Sequence, residues 1–364
     1  MDLVMVGAGE AARKHWIEGI LGTPGVNVVA VVDHDVRMAS RVATMLGDRI
    51  FACYSAIQAA HFLPTVIDAV ALVLTPDHFP TIVELMALGF TRFIVEKPLV
   101  SRMSEIAQLR ELVAAHPEVK IFAVDQYIAK TLQLQDLLTL HSSDPRRKFF
   151  VALSPDFFSM ARMVLGPIEG VTVTVEESGD FCLPDLAKRP WLRNDPEIGG
   201  MLLDLGTHVF APLIAARVIT SAAEVRVALL SKLGDDDEGF LPVISATDVE
   251  MHVSALLREN GIPISVSFGK VPGTGGIWSL AVRFKNGEYR GGLRSGQPAV
   301  LAMHDGFVAS QTLSVPPVRY ILCEAELYFA GELPGFDGNV GAVLGSLEIS
   351  ARIRKKYFAD MVQQ

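Results

Sequence analysis

The chain opens on an apolar run, Leu3 to Val6, that passes directly into Gly7-Ala8-Gly9-Glu10-Ala11-Ala12 and then into a helical pattern through Trp16, Ile17, Ile20 and Leu21. A buried strand, a glycine turn and a helix in that order leave few folds open. Gly7 permits the tight turn. Gly9 lets a pyrophosphate approach the backbone where free N–H groups point outward, beside Glu10 and Ala11 at the helix start. Ala12 is small enough for helix and strand to pack closely. G-x-G-x-x-A by itself is weak; its place between strand and helix is the informative part. The next apolar run, Val26 to Val32, ends at Asp33. A carboxylate there can accept from the adenosine ribose hydroxyls and repels a 2′-phosphate, which predicts NAD ahead of NADP. Arg37 lies close enough in sequence to leave NADP open. The competing role for Asp33 is to cap the helix beginning near Val36.

Strand and helix patterns go on alternating. Met38 to Leu46 reads as a helix, Ile50 to Cys53 as a strand, Ser55 to His61 as a short helix and Ala69 to Leu74 as a strand. Thr75-Pro76-Asp77-His78 follows, then a helix from Thr81 to Leu88 closed by Gly89. Phe93-Ile94-Val95 is a buried strand that runs straight into Glu96-Lys97-Pro98. Charge at a strand tip is costly unless compensated. In open α/β sheets, ligands bind outside the carboxyl ends of the strands, so Lys97 stands where a ligand would be. Pro98 stiffens the backbone that carries it and is open to the cis form. A helix from Ser104 to Ala115 and a strand from Lys120 to Val124 complete a βαβ rhythm, which predicts a doubly wound parallel sheet over residues 1–125.

The chain has 364 residues, half of them hydrophobic, enough for two cores. Apolar runs are too short and interrupted for a membrane span. The first residues enter a strand with no basic leader, so a cytoplasmic, soluble protein is expected. A formal charge of −9 argues against nucleic acid or an acidic membrane as partner. Cys53, Cys182 and Cys323 have no metal-like spacing and are expected to be reduced.

From about Gly170 the period changes to two, with Val171, Val173 and Val175 alternating with polar residues. Further strand patterns lie at Glu224 to Leu230, Asp248 to Leu256, Pro263 to Phe268, Ile277 to Phe284, Tyr289 to Leu293 and Ala299 to His304. Asn260-Gly261, Asn286-Gly287 and Asp305-Gly306 are hairpin signals. A last helix is expected from Val340 to Phe358. Residues 126–364 are therefore expected to form an α+β domain with a large, mostly antiparallel sheet.

A second chemical site lies in this part, in Gly199-Gly200-Met201-Leu202-Leu203-Asp204-Leu205-Gly206-Thr207-His208. The glycines can start a helix. Asp204 and His208 are four apart and share a face. Asp204 can hold one imidazole nitrogen and orient the other, which is the support a general base needs. The alternative is an ordinary pair on a helix surface. A metal site would need a third ligand, and none is evident, so no metal is expected.

Gly7-Ala8-Gly9, Asp33, Thr75-Pro76-Asp77-His78, Gly89, Glu96-Lys97-Pro98 and Gly199-Gly200 with Asp204 and His208 together resemble the Gfo/Idh/MocA oxidoreductases, the glucose–fructose oxidoreductase and inositol dehydrogenase family. The resemblance implies that Gly7, Gly9, Glu10, Ala11, Asp33, Thr75, Pro76, His78, Glu96, Lys97 and Pro98 line the cofactor cleft. It implies that Lys97 contacts the reacting hydroxyl and that Asp204 and His208 complete the catalytic set. Trp191 and Arg193 stand where the family has a segment that closes over substrate, and Tyr127 joins them. Pro80 replaces a frequent histidine, and Asp125-Gln126-Tyr127 replaces a frequent asparagine and arginine. The implied partners are a small sugar or polyol substrate and a second copy of the chain, in a homodimer or homotetramer through the C-terminal sheet.

The expected activity is hydride transfer between NAD, or NADP, and a secondary alcohol or ketone of a sugar or cyclic polyol. Alternatives are a ketoreductase of a nucleotide-activated or phosphorylated sugar, using Arg193, Lys130 and Arg146-Arg147-Lys148, and a cofactor-binding regulator without turnover.

Overall fold

The computed structural model describes residues 1–63, 65–139, 144–146, 164–178, 197–233, 240–245, 248–271, 276–293, 297–312 and 316–363. Trp191, Arg193, Arg147, Lys148 and the acidic run 235–238 lie outside them. The chain divides into two compact units. One is Met1–Ala129 with Val315–Gly341, and the other is Lys130–Ser314 with Ala342–Gln364.

The first unit is built on six parallel strands: β1 (Asp2–Val6), β2 (Asn27–Val32), β3 (Phe51–Cys53), β4 (Val70–Val73), β5 (Arg92–Glu96) and β6 (Lys120–Val124), in the order β3-β2-β1-β4-β5-β6. All five pairings are parallel. The central residues of β1, β4 and β5, Leu3–Val6, Val70–Val73 and Phe93–Val95, are apolar on both faces and buried, as a sheet covered on both sides requires. A π-helical turn, Ala12–Trp16, follows β1 and its loop and runs into α1 (Ile17–Leu21). The crossovers continue with α2 (Val36–Leu46), α3 (Ala56–Ala60), α4 (His78–Ala87) and α5 (Met103–Ala115). Asp35, not Asp33, caps α2, its carboxylate accepting the Arg37 N–H at 3.0 Å. The short α6 (Gln126–Lys130) closes this stretch.

The unit is completed by residues from far along the chain. A helix at Pro317–Ala330, not expected from the sequence, packs on α1 and β6. A Cβ on Gly19 would lie 2.3 Å from Val318, so the two helices meet at a glycine. Phe122 on β6 lies against Tyr328 and Phe336, with ring centroids at 6.1 and 6.2 Å. The Ala123 N–H donates to the Gly338 carbonyl at 2.7 Å. That bond satisfies part of the free edge of β6. The expected division after residue 125 did not include this return of the chain.

In the second unit, α7 (Leu132–Leu138) precedes a nine-stranded sheet. Its strands are β7 (Ile168–Ser178), β8 (Glu224–Leu233), β9 (Phe240–Pro242), β10 (His252–Glu259), β11 (Ile262–Val271), β12 (Ile277–Phe284), β13 (Gly287–Gly292), β14 (Pro298–Met303) and β15 (Val308–Thr312). The order is β15-β14-β13-β12-β7-β11-β10-β8-β9. Every pairing is antiparallel except β7 with β11. β9 and β15 were not expected; β9 is three residues and β15 reads Val-Ala-Ser-Gln-Thr, too short or too polar to signal itself. Asn260 and Gly261 have φ of 49° and 85°, which makes the β10–β11 turn the tight type their sequence signals.

Helices α8 (Gly200–Asp204) and α9 (Gly206–Ala215) pack on this sheet, α9 through Phe210, whose ring meets Phe268 of β11 edge-on at 5.9 Å. Counting Pro317–Ala330 as α10, the last helix is α11 (Val340–Gln363). Among the described residues, no helix is long and apolar enough to cross a membrane.

Candidate active site

The first cluster forms at the carboxyl ends of β1, β2, β4, β5 and β6. Gly7 has φ 104°, and a Cβ there would lie 2.9 Å from the Leu74 carbonyl carbon. Both its conformation and its contact with the end of β4 require glycine. Gly9 differs. A Cβ at Gly9 would meet nothing within 4 Å, so the fold does not demand glycine there. What glycine leaves at that position is bare backbone open to a ligand, which fits the close approach of a pyrophosphate.

Asp33 is built into the same turn. Its Oδ2 accepts the Ala8 N–H at 2.8 Å and its Oδ1 accepts the Asp35 N–H at 2.9 Å. The exposed His34 ring lies beside it, Nδ1 3.1 Å from Oδ1. Helix capping is therefore not its role. Thr75 and Thr81 share a hydroxyl contact at 2.9 Å, and Thr81 donates to the Asp77 carbonyl at 2.8 Å. Because Thr81 has one O–H, Thr75 is the donor of the first bond, and the turn after β4 is closed by its own side chains.

Glu96 ends β5, Lys97 and Pro98 follow it, and the Lys97–Pro98 peptide is cis. Glu96 is buried and accepts the Trp16 Nε1–H at 3.0 Å. Burial pushes its carboxyl up to about 7, against the opposing pull of the Lys97 charge and the Trp16 bond. Lys97 is half-buried. His78 opens α4, is buried, and donates Nδ1–H to the Pro98 carbonyl at 2.5 Å. Burial pulls its pKa down to about 4, so the ring is neutral near pH 7. His78 thus ties the turn after β4 to the peptide that carries Lys97. Asp125 is buried beyond β6 and accepts the Tyr127 N–H at 2.8 Å; Tyr127 is itself buried.

The second cluster lies on α8 and α9. The expected single helix breaks at Leu205, which ends α8 and precedes α9. The turns remain nearly in line, since Leu205 N–H donates to Met201 O at 2.9 Å and Val209 N–H to Leu205 O at 3.2 Å. Asp204 and His208 are 5% and 7% exposed, so a surface ion pair is excluded. Every residue from Gly200 to Leu213 is buried, so these turns are enclosed on all sides. The start of α8 is held from below. Gly200 has φ 49°, and a Cβ there would lie 2.5 Å from the Glu250 carbonyl oxygen. Met201 N–H donates to that oxygen, and Leu202 N–H to Glu250 Oε1, each at 3.1 Å. Arg354 of α11 donates to Glu250 Oε2 at 2.5 Å and to the Asp248 carbonyl at 3.2 Å. Burial pushes the Glu250 carboxyl up while Arg354 pulls it back. Sequence reasoning missed Trp16, Glu250 and Arg354. Among the described residues no cluster of three or more His, Cys, Asp or Glu could hold a metal.

Comparison with known proteins bears on both clusters. Residues 1–124 match the model of the oxidoreductase family with an NAD-binding Rossmann fold, Gfo/Idh/MocA. The match spans the six parallel strands of the first unit and stops at the end of β6. No curated protein matches the chain by sequence. Solved structures match it along nearly its whole length. The 3-ketoreductase KijD10 of Actinomadura kijaniata, solved with NADP and TDP-benzene, has a TM-score of 0.66 at 17% identity over 96% of this chain and 95% of that one. A putative myo-inositol dehydrogenase of Sinorhizobium meliloti has 0.65 at 17%, over 99% and 98%. An oxidoreductase of Agrobacterium radiobacter, solved with NAD+, L-tartaric acid and magnesium, has 0.65 at 13%, over 96% and 94%. At these identities the matches establish the fold of both parts, Rossmann sheet and large antiparallel sheet.

Within that family fold the residues expected for the cofactor gather as one group. Gly7, Gly9, Asp33, Thr75, Pro76, His78, Glu96, Lys97 and Pro98 lie at the carboxyl ends of β1, β2, β4 and β5 or in the turns that follow. Glu10 and Ala11 lead into the π-helical turn, with Glu10 largely exposed and paired with Lys14. Lys97 and Tyr127 belong to the first unit, Asp204 and His208 to the second.

Proposed function

We propose that this NAD(P)-binding oxidoreductase uses NAD to interconvert a secondary alcohol and ketone of a sugar or cyclic polyol. The observation that carries the reading is the half-buried Lys97 at the carboxyl end of β5, in the same sheet as the open backbone of Gly9 and the carboxylate of Asp33. Gly7, Gly9, Asp33, Thr75 and Pro76 would hold the cofactor, which when bound supplies the hydride acceptor or donor.

The protein supplies the proton chemistry. His208 takes the hydroxyl proton on an imidazole nitrogen, a role worth about 10²–10⁴ in rate. Asp204, one turn earlier, orients the ring. Lys97 places its charge on the oxygen as it becomes an alkoxide. Tyr127, Trp191 and Arg193 are assigned to substrate contact. Arg146, one of the basic residues that favoured a phosphorylated or nucleotide-linked sugar, already engages Asp144 with both Nε and Nη2, at 2.9 and 2.7 Å. That engagement favours an uncharged polyol or sugar.

We also infer a homo-oligomer formed through the open face of the large sheet. Leu229 is 59% exposed, and Val227 is paired across the strands with Leu256, both exposed. Light scattering should report at least a dimer, and Leu229→Lys should weaken it. The enzyme is assigned to the cytoplasm, where the free thiols Cys53 and Cys323 stay reduced.

The deciding experiment follows NADH formation across a panel of inositols, aldoses and nucleotide-linked sugars. Turnover of one polyol or sugar class that disappears in Lys97→Ala supports the reading. Tight NAD binding with no turnover of any member would overturn it in favour of a regulator.

A further inference from the structure

Trp16 ends the π-helical turn that follows the glycine loop, and its indole is fully buried. The turn is π-helical because Ile17 N–H donates to Ala12 O, five residues back. That extra residue shifts the phase of the helix relative to an α-helical start. With this phase the indole N–H reaches Glu96 Oε2 at 3.0 Å, across eighty positions of sequence. Glu96 directly precedes Lys97.

Four groups act on the Glu96 carboxyl: the Trp16 N–H, the Lys97 peptide, the Lys97 charge and the carboxylate of Asp125. The first three favour the anion. Asp125 opposes it, and burial opposes it most. His78, the other ring near Lys97, is neutral and occupied by the Pro98 carbonyl. A carboxyl balanced this closely changes its charge when one donor is lost, because an unsatisfied buried anion is strongly disfavoured.

We propose that Trp16 and Glu96 form a positioning bridge, in which the helix that starts at the cofactor turn holds the carboxylate that keeps Lys97 charged and oriented. This rests on the reading that Lys97 acts on the substrate oxygen. Trp16 touches neither substrate nor cofactor in this role. It acts through Glu96, and Glu96 through Lys97. The helix that follows the glycine turn and the strand end that carries Lys97 are thereby joined through one hydrogen bond.

The test is Trp16→Phe in the full chain, with the isosteric benzothienyl analogue of tryptophan at position 16 as the second variant, since it keeps the volume and lacks the N–H. Isotope-edited infrared titration of labelled glutamate, with Glu96→Gln to identify the band, reads the Glu96 carboxyl without any need for activity. Its midpoint should rise by about one pH unit in either variant. The acid limb of the kcat–pH profile should move with it, while the Kd for NAD changes less than about twofold. In the Glu96→Gln background, Trp16→Phe should change kcat no further. A lower melting temperature with an unmoved infrared midpoint and an unmoved limb, in whichever variant folds, would overturn the bridge and leave Trp16 a packing residue. If Lys97→Ala retained turnover while the infrared midpoint still moved, the assignment of Lys97 would fail on its own, and the linkage of Trp16 to Glu96 would stand.

Discussion

The Ala8 N–H donates to Asp33 Oδ2 at 2.8 Å, so the carboxylate at the end of β2 is a structural member of the glycine turn as well as a candidate ribose ligand. The bond fixes the carboxylate at the loop whose neighbouring glycine presents bare backbone. A 2′-phosphate arriving there meets an anion that cannot swing away without giving up that bond.

Asp33→Ser should therefore act twice. Fluorescence titration should show NAD binding weakened and the preference for NAD over NADP reduced several-fold. Chemical denaturation should show a loss of about 1 kcal/mol, the usual net worth of one such hydrogen bond. Equal affinities for the two cofactors in the wild type would remove Asp33 from the selectivity role.

The two loop glycines should part company. Gly7→Ala places a methyl against the Leu74 carbonyl at a φ of 104° and should destabilise the apo protein by about 1–3 kcal/mol. Gly9→Ala has open space and should melt within a degree or two of wild type, yet lose NAD affinity by about tenfold or more, roughly the 1.4 kcal/mol that a factor of ten represents. Scanning calorimetry and cofactor titration on the same samples separate the two effects.

Lys97→Ala and His208→Ala should each lower kcat by about 10² or more with little change in NAD affinity. The double variant should lose far less than the product of the two, because the proposed reaction has both acting on one hydroxyl. Asp204→Asn should be milder than His208→Ala, since it disturbs orientation and leaves the base. A His208→Ala enzyme with wild-type turnover and pH profile would transfer the role of base to Lys97.

The ion pair under α8 gives a stability prediction. Arg354→Met leaves the Glu250 carboxylate buried without its cation, and removing one partner of such a pair typically costs about 3–5 kcal/mol. Joint replacement by Glu250→Gln and Arg354→Met should recover part of that loss in urea unfolding. No loss in Arg354→Met alone would mean that Glu250 is neutral in the folded protein.

His78 makes stability depend on pH. Its pKa falls from 6.5 to about 4 on folding, so between those values the unfolded chain binds the extra proton and acid favours unfolding. Stability from this group is whole above pH 6.5 and is lost as pH falls towards 4, by about 3 kcal/mol at most. Wild type should therefore lose stability relative to His78→Gln between neutral pH and pH 4.5, measured by urea unfolding. Parallel curves for the two proteins would show that the ring is not held neutral.

Much of this molecule is decided by short-range sequence. Leu3 to Val6 followed by Gly7 and Gly9 can form little besides a strand, a turn and a helix start. The runs at Val70–Val73 and Phe93–Val95 are apolar on both faces and so belong to a covered parallel sheet. The change to period two beyond Gly170 announced the second sheet, and Asn260-Gly261 the two-residue turn between β10 and β11. The place of Lys97 at the tip of a buried strand was legible because Phe93-Ile94-Val95 runs straight into Glu96-Lys97-Pro98. The rest depended on which distant surfaces meet. Nothing local in Pro317–Ala330 says that its apolar side packs on α1 and β6, because hydrophobic burial has no preferred partner. The parallel pairing of β7 and β11 inside an otherwise antiparallel sheet is likewise a choice among equivalent edges. Glu96 finds Trp16, and Glu250 finds Arg354, over gaps of 80 and 104 residues. Each buried carboxylate needed a donor, and only the assembled fold determined which side chain stood within reach.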